Sequence, residues 1–281
     1  MTLRQDEGPA AQVQEPPVRR GGVRALWAGN PQAVVQRGLI AARSSSWAVV
    51  LSGFFEPVFY LASMGIGLGA LIGDVQTSQG VEVPYAAFIA PALLAVSAMN
   101  GAIYDSTWNV FFKLNYGKLY EGMLATSLGP LDVALGEILY ALLRGLAYAT
   151  GFMIVMQVLG LNLAPTAILA LPAVLLIAFG FASLGMAVTS YMKTFQQMDW
   201  INFVLLPMFL FSATFYPITV YPEWVQHIVM ALPLWHGVEL IRGLTTGVLS
   251  ADMIWHVLYY LVMIAIGLVF TTKRLRALFL D

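Results

Sequence analysis

Long apolar stretches separated by polar segments follow one another along the chain from residue 47 to residue 271. Most of them are close to the ~20 residues that cross ~30 Å of hydrocarbon as an α-helix. The fifth is the shortest, and helix tilt or local thinning of the bilayer can compensate for its length. The pattern predicts six transmembrane helices, at Trp47–Ile72, Tyr85–Tyr104, Val133–Leu159, Ala167–Tyr191, Ile201–Phe215 and Ile254–Thr271.

The segment before the first span divides into two parts. Residues 1–29 mix Pro, Gly, Gln and charged residues without an apolar run, so we expect a disordered tail and not a signal peptide. At residues 30–46, Asn30 is a candidate N-cap, Pro31 suits the first helical turn, and the next apolar positions share one face. This pattern favours a helix in the membrane interface, with an N-terminal extension of the first span as the alternative.

Two segments between spans are predicted to have structure of their own. Residues 113–132 can form a short amphipathic helix at about 116–126, followed by Gly129-Pro130. Residues 216–247 are too long and too apolar for a simple loop, and they break at Leu232-Pro233. The simplest interpretation is a re-entrant pair of short helices that dips into the outer leaflet and returns.

The Lys and Arg residues predict the orientation. Twelve of the fourteen lie on one side if the six spans alternate, and only Arg144 and Arg242 do not. Because Lys and Arg concentrate in cytoplasmic loops, we expect the N- and C-termini in the cytoplasm and residues 216–247 outside.

The composition agrees with an all-α integral membrane protein. The chain is 59% hydrophobic and 10% charged, against about 45–50% and about 25% in soluble domains, and its mean hydropathy is +0.77. It has no Cys, three His and a formal charge of −1, which argues against disulfides, metal sites and nucleic-acid binding. It contains no GxxxxGK[ST] phosphate loop and no hydrolase motif, so we expect no catalytic residues and no ATP hydrolysis by this chain itself.

Several residues within the predicted spans are candidates for function. Glu56-Pro57 lies inside the first span, where a carboxylate must be paired, protonated or hydrated. It marks either a translocation path or dimer seam, or an internal hydrogen bond that fixes helix packing. Gly65 and Gly69 share a helix face that allows close approach, either within the subunit or between two copies.

Two further ionisable residues lie in the third predicted span. Glu137 and Arg144 are two turns apart on nearly one face. We expect Arg144 to pair with Glu137 or Glu56, as a static ion pair or as a substrate contact. Asp105 is expected at the membrane interface.

Four strings in register with the six spans resemble the permease subunits of type 2 ABC exporters, in the branch of the NodJ-type nodulation and daunorubicin-resistance permeases. The resemblance covers roughly residues 30–275. By position, Glu56-Pro57, Gly136-Glu137, Pro217, Pro233 and Arg242 match family residues, whereas Ala213 stands where the family often has Gly. The strings are EPVFYLASMGIGLG, YAAFIAPALLAVSAM, LYEGMLATSLGPLDVALGEIL and FSATFYPITVYPEWVQHIVMALPLWHGVELIRG.

The resemblance implies a permease that exports an amphipathic lipid, glycolipid or lipo-oligosaccharide, or drug across a bacterial cytoplasmic membrane. It implies two cytoplasmic ATPase subunits that carry ATP and Mg, a second permease copy or paralogue, and contact with membrane lipid. The coupling helix would contact the ATPase through Lys118, Leu119, Tyr120, Glu121 and Met123. The re-entrant element would include Pro217, Pro222, Pro233, Glu239 and Arg242.

Two other function classes remain as alternatives at this point. A secondary transporter would have inverted repeats, and the first and last three spans do not match each other. An intramembrane enzyme without an ATPase partner would have a recognisable catalytic motif.

Overall fold

A computed structural model describes residues 26–42 and 55–279. Strands β1 (Asp74–Gln76) and β2 (Glu82–Pro84) form a two-stranded antiparallel hairpin, which joins the second and third helices. The helices are α1 (Pro31–Ala42), α2 (Phe55–Ile72), α3 (Tyr85–Asn115), α4 (Leu119–Leu124), α5 (Pro130–Val158), α6 (Pro165–Tyr191), α7 (Asp199–Phe211), α8 (Glu223–Ala231), α9 (Pro233–Thr246) and α10 (Met253–Phe279).

Five of these described helices, α2, α3, α5, α6 and α10, are long and apolar enough to cross a membrane. The prediction of a mostly helical integral membrane protein is therefore confirmed. The predicted fifth span, 201–215, corresponds to the thirteen-residue α7. This helix ends early because the backbone leaves the helical region at Ser212 and turns at Ala213, whose φ is +55°. Residues 43–54, which include part of the predicted interfacial helix and of the first span, lie outside the described residues, as does the predicted tail through residue 25.

Two elements between residues 73 and 115 differ from the prediction. The loop at 73–84 contains the β-hairpin, in which Val75 pairs with Val83 and Gly80, at φ +80°, forms part of the turn. The second span continues past Tyr104 through a π-helical turn at Asp105–Asn109 and ends at Asn115. The predicted span ends at Tyr104, with Asp105 expected at the membrane interface. Asp105 is instead buried inside the protein, together with its neighbours Ser106 and Thr107.

Helix α3 is at the centre of the bundle. Of its most apolar 18-residue window, 83% is buried, against 28% for α10, and it packs on α2, α5, α6 and α9. Lipid tails are as apolar as leucine, so close packing at small residues has to replace the hydrophobic driving force between helices. At Gly185 of α6, a Cβ atom would lie 2.3 Å from Ser106 Oγ of α3. Glycine at position 185 therefore lets the Ser106 side chain of α3 lie directly against the backbone of α6.

Helix α1 packs along the N-terminal half of α5. Val34 of α1 is buried against Gly136, where an added Cβ would lie 2.5 Å from Val34 Cβ and 2.8 Å from the Pro31 carbonyl oxygen. The buried Asp132 carboxylate accepts hydrogen bonds from the backbone N–H groups of Gly129, Ala28 and Asn30. One side chain therefore caps α5 and holds the chain that leads into α1.

The close contact at Gly136 gives a stability test. We expect Gly136→Ala to lower the free energy of unfolding by about 1–3 kcal/mol, the usual effect of overpacking, because the Pro31 backbone has to move. In the matched control, Gly67→Ala of α2, nothing lies within 4 Å of the new Cβ, and a change of at most about 1 kcal/mol towards higher stability is expected from helix propensity. Thermal unfolding in detergent measures both variants. If Gly136→Ala and the wild type had the same free energy of unfolding, α1 would not pack on α5 at this point.

Candidate functional site

A cleft of about 780 Å³ opens between α2, α3, α5 and α7. Along α3 its wall runs from Leu93 to Trp108, about 22 Å of helix. Apolar and aromatic side chains form most of the wall, with carboxamides from Asn100 and Asn202 on facing helices. In residues 26–42 and 55–279, no cluster of three or more His, Asp or Glu side chains is suited to hold a metal ion.

Three of the predicted path residues line this cleft. Glu56 and Pro57 lie on the α2 wall and Arg144 on the α5 wall. Gly65 and Gly69 lie elsewhere: an added Cβ at Gly65 would be 3.3 Å from Ala86 Cβ, and one at Gly69 would be 3.7 Å from the Tyr85 ring. In this structure the glycine face of α2 therefore packs against α3 within the subunit.

The expected pairing of Arg144 with Glu137 or Glu56 is wrong. Arg144 Nη1 lies 3.0 Å from Asp105 Oδ1 of α3, and the Glu137 carboxylate accepts a hydrogen bond from Lys113 of α3. Two turns of helix separate Glu137 from Arg144 by about 10 Å along the axis, too far for direct contact. Both pairs connect α3 with α5. From Asp105 to Lys113 the sequence number rises along α3, while from Arg144 to Glu137 it falls along α5, as expected for antiparallel helices. Glu137 does not line the cleft.

Asp105 is the site residue that the sequence interpretation assigned to the wrong environment. It is 4% exposed, and its Oδ1 also accepts a hydrogen bond from Asn109. Asp105 orients Arg144 from behind the cleft wall, since Arg144 lines the cleft and Asp105 does not. The available signal was a carboxylate just beyond an apolar run, and such a group usually requires a partner.

The predicted coupling segment forms a shorter helix, α4, than the expected 116–126. Lys118 precedes it with a left-handed φ of +47°, which sets the N-terminal limit of the helix. Tyr120 and Met123 are buried, Leu119 is half-buried, and Lys118 and Glu121 are exposed. Burial raises the pKa of the Tyr120 phenol well above its usual range, the nearby Glu137 carboxylate raises it further, and Arg37 of α1 partly offsets this. Helix α4 thus packs against the end of α3 and against α5, while Lys118 just before it and Glu121 within it present two charges outward.

On the opposite side of the bundle, Arg242 joins three segments. It is 1% exposed, and its Nη1 donates to Glu239 Oε1 at 2.6 Å. Its Nη2 donates to the Ala213 carbonyl at 2.9 Å, and its guanidinium lies 4.0 Å from the centroid of the Phe88 ring. Ser78 in the hairpin turn donates to the second carboxylate oxygen of Glu239. We call Arg242, Glu239, Phe88 and Ala213 the outer knot; it connects α9, α3 and the turn after α7.

The outer knot lies just beyond one end of the cleft. Phe88 is five residues from Leu93 on α3, and Ala213 is four residues from Phe209 on the α7 side, where Leu93 and Phe209 both line the cleft. These offsets correspond to about 6–8 Å of helix. The knot is therefore adjacent to this end of the cleft.

The predicted prolines occupy the starts of short elements. Pro217 precedes a 3₁₀ turn at Ile218–Val220, Pro222 precedes α8, and Pro233 is the first residue of α9. The chain is extended at Leu232, as the predicted break requires. The hydroxyl groups of Tyr259 and Tyr260 donate to the carbonyls of Ala231 and Pro233. These bonds place the junction of α8 and α9 beside α10, about 10 Å from its nearer end.

The family match and the similar proteins found for this chain agree with each other. Residues 31–245 match the family described as ABC-2 type transporter. The chain is 31% identical to nodulation protein J of Rhizobium leguminosarum bv. viciae over 258 residues, 91% of this chain and 98% of the relative. It is 33% identical to nodulation protein J of Sinorhizobium fredii over 75% of this chain and 79% of the relative. It is 32% identical to that of Bradyrhizobium diazoefficiens over 76% and 80%, respectively.

The corrected ion pair gives a second test. Arg144→Met should lower the free energy of unfolding by about 3–5 kcal/mol, because it leaves Asp105 buried without its counter-charge. Adding Asp105→Asn should recover part of the loss, with an interaction energy of about 0.5–3 kcal/mol.

Glu137→Gln serves as the control in the same background. Because Glu137 pairs with Lys113, its effect should add to that of Arg144→Met within about 0.5 kcal/mol. Denaturant unfolding in detergent measures the full set of variants. Additivity with Asp105→Asn, or coupling with Glu137→Gln alone, would contradict the observed pairing.

Proposed function

From the premise that this chain belongs to the ABC-2 type transporter family, and so is a multi-pass transmembrane subunit of an ABC transporter, we propose that it is the permease of an exporter. It moves an amphipathic lipid, glycolipid, lipo-oligosaccharide or drug across the cytoplasmic membrane of a bacterium. The observation that carries the proposal is the family match over residues 31–245, since it includes the cleft and both of its ends.

The proposed topology has six spans, with α7 as the fifth. A four-residue 3₁₀ segment at Phe195–Met198 leads into the thirteen residues of α7. Together they rise about 28 Å, close to the ~30 Å hydrocarbon thickness. With both termini in the cytoplasm, α4 faces the cytoplasm and the outer knot faces outward. Helices α8 and α9 are the re-entrant pair, and the position of their junction beside Tyr259 and Tyr260 supports this assignment.

The cleft is the proposed substrate site. Its aromatic and aliphatic wall suits an apolar portion of the substrate, and Asn100 and Asn202 offer donors and acceptors to a polar portion. Glu56 and Arg144 add one charge of each sign to the wall. This combination favours an amphipathic substrate over an inorganic ion. The outer knot closes the far end until the transporter opens outward.

Helix α4 is the proposed contact with the ATPase. Its outward charges, Lys118 and Glu121, are available to a soluble partner, whereas the buried Tyr120 and Met123 connect the helix to the rest of the chain. The chain has no phosphate loop of its own, so in this proposal the partner subunit binds ATP and Mg and hydrolyses the ATP. Two ATPase subunits and a second permease copy or paralogue complete the proposed assembly. Closure of the ATPase would move α4 together with the helices it contacts.

Reconstitution with a candidate ATPase from the same organism tests the exporter proposal. We expect ATP-dependent substrate movement in vesicles and substrate-stimulated ATP hydrolysis. Glu121→Lys should reduce both by about tenfold, equivalent to about 1.4 kcal/mol, because a reversed charge at a docking surface is repulsive.

The matched control is Asp199→Lys. Asp199 is also an exposed acid in the first turn of a helix, α7, so its reversal loses the same favourable interaction with the helix dipole. We expect transport with Asp199→Lys to stay near that of the wild type. Transport that continues without any ATPase would instead favour a secondary transporter. If Glu121→Lys and Asp199→Lys reduced transport equally, α4 would not be the specific contact with the ATPase.

Cysteine labelling tests the orientation, because the chain has no native cysteine. Gln76 in the hairpin and Ser127 after α4 are both exposed. In intact cells, Gln76→Cys should react with a membrane-impermeant maleimide, whereas Ser127→Cys should react only after permeabilisation. The reverse pattern would contradict the proposed topology.

A further inference from the structure

A second concavity lies on the lateral surface of the helix bundle, away from the proposed substrate cleft. It is a groove of about 510 Å³ between α6, α9 and α10. Its floor includes Leu184 of α6, and its long side is the face of α10 that carries Leu258, Val262 and Ile266. None of the residues that line the substrate cleft also lines this groove.

The groove has the length of one bilayer leaflet. On α10 it extends from Trp255 to Ile266, eleven steps of helix or about 16 Å. Half of the ~30 Å hydrocarbon core is ~15 Å. Trp255 lies near the end of α10 that the Lys and Arg distribution places outside, and tryptophan is enriched at the level of the lipid headgroups. The groove therefore runs from the outer interface towards the middle of the membrane.

Two of the polar side chains at its rim, His236 and Tyr259, already have protein partners. His236 Nδ1 lies 2.7 Å from His256 Nδ1, and the Tyr259 hydroxyl donates to the Ala231 carbonyl. The rest of the wall is carbon-rich and carries no Lys, Arg, Asp or Glu side chain. The hydrocarbon core of a bilayer contains no water to fill an open apolar groove, and empty space would forfeit dispersion contacts along the whole groove. An extended alkyl chain satisfies both conditions.

We propose that this groove binds one acyl chain of an outer-leaflet phospholipid, held between the re-entrant helix α9 and the last span α10. The acyl chain fills the space between the start of α9 and the neighbouring face of α10. The bound lipid therefore stabilises the packing of α9 on α10. The occupant is a lipid of the bilayer and not the transported substrate, because the groove opens to the side of the bundle and is separate from the cleft.

Photo-crosslinking tests the proposal on the full chain alone, in nanodiscs of phosphatidylglycerol that contain an analogue with a diazirine midway along one acyl chain. Neither substrate nor ATPase is present, so the result does not depend on the exporter proposal. Peptide mapping by mass spectrometry should find labelling of Leu258, Val262 and Ile266 about fivefold above that of Leu261, equivalent to about 1 kcal/mol. Leu261 and Val262 are adjacent and each 50% exposed, but only Val262 lines the groove.

Two matched variants complete the test. Val262→Trp fills the groove and should reduce the labelling of Leu258 and Ile266 by about fivefold, whereas Leu261→Trp should leave it within about twofold. Equal labelling of Leu261 and Val262 in the wild type would show ordinary annular lipid and overturn the proposal. An unchanged pattern in Val262→Trp would do the same. A disulfide between two Val262→Cys copies, with weak lipid labelling, would assign the groove to a second copy of the chain.

Discussion

Charged side chains inside a bilayer are costly unless they are paired, protonated or hydrated, and α3 supplies one member of two ion pairs and contacts a third pair. Asp105 pairs with Arg144, Lys113 pairs with Glu137, and the Phe88 ring and carbonyl contact the Arg242 of the third pair. These interactions fix how α5 and α9 lie against α3. The position of the central helix therefore determines where the cleft, α4 and the outer knot are found.

This arrangement links distant parts of the chain through one rigid element. Phe88 and Lys113 are separated by about 38 Å along α3, so the same helix contacts the outer knot at one end and the junction beside α4 at the other. The cleft lies between these two ends. In the proposed transport cycle, a displacement of α4 by the ATPase reaches the outer end of the cleft as a movement of packed helices. A lipid chain between α9 and α10 would limit how far α8 and α9 can follow this movement.

Part of the candidate site could be predicted from the sequence. Glu56, Pro57 and Arg144 stood out because charged residues and proline are unusual in apolar spans, and the structure places all three on one cleft. Their partners were missed. Asn100 and Asn202 have no local pattern that sets them apart, and Asp105 stands just beyond an apolar run, where it was interpreted as an interface residue. The expected Glu137–Arg144 pair failed because two helical turns separate the residues, while each has a closer partner on α3. Glu239 and Arg242 were identified individually as members of the re-entrant element, but their contacts with Ser78, Phe88 and Ala213 join parts of the chain that are far apart in sequence.

The sequence by itself determined that this is a helical membrane protein, approximately where the spans lie, and where the chain breaks before Pro233. Those properties follow from the solvation of each segment and from the missing N–H of proline, which act over a few neighbouring residues. Only the tertiary structure decided the register of α3 against α5, the extension of α3 past Tyr104, and the assembly of the outer knot. An ion pair depends on distances of a few ångströms between helices, and these distances depend on where glycines such as Gly136 and Gly185 allow neighbouring helices to approach closely.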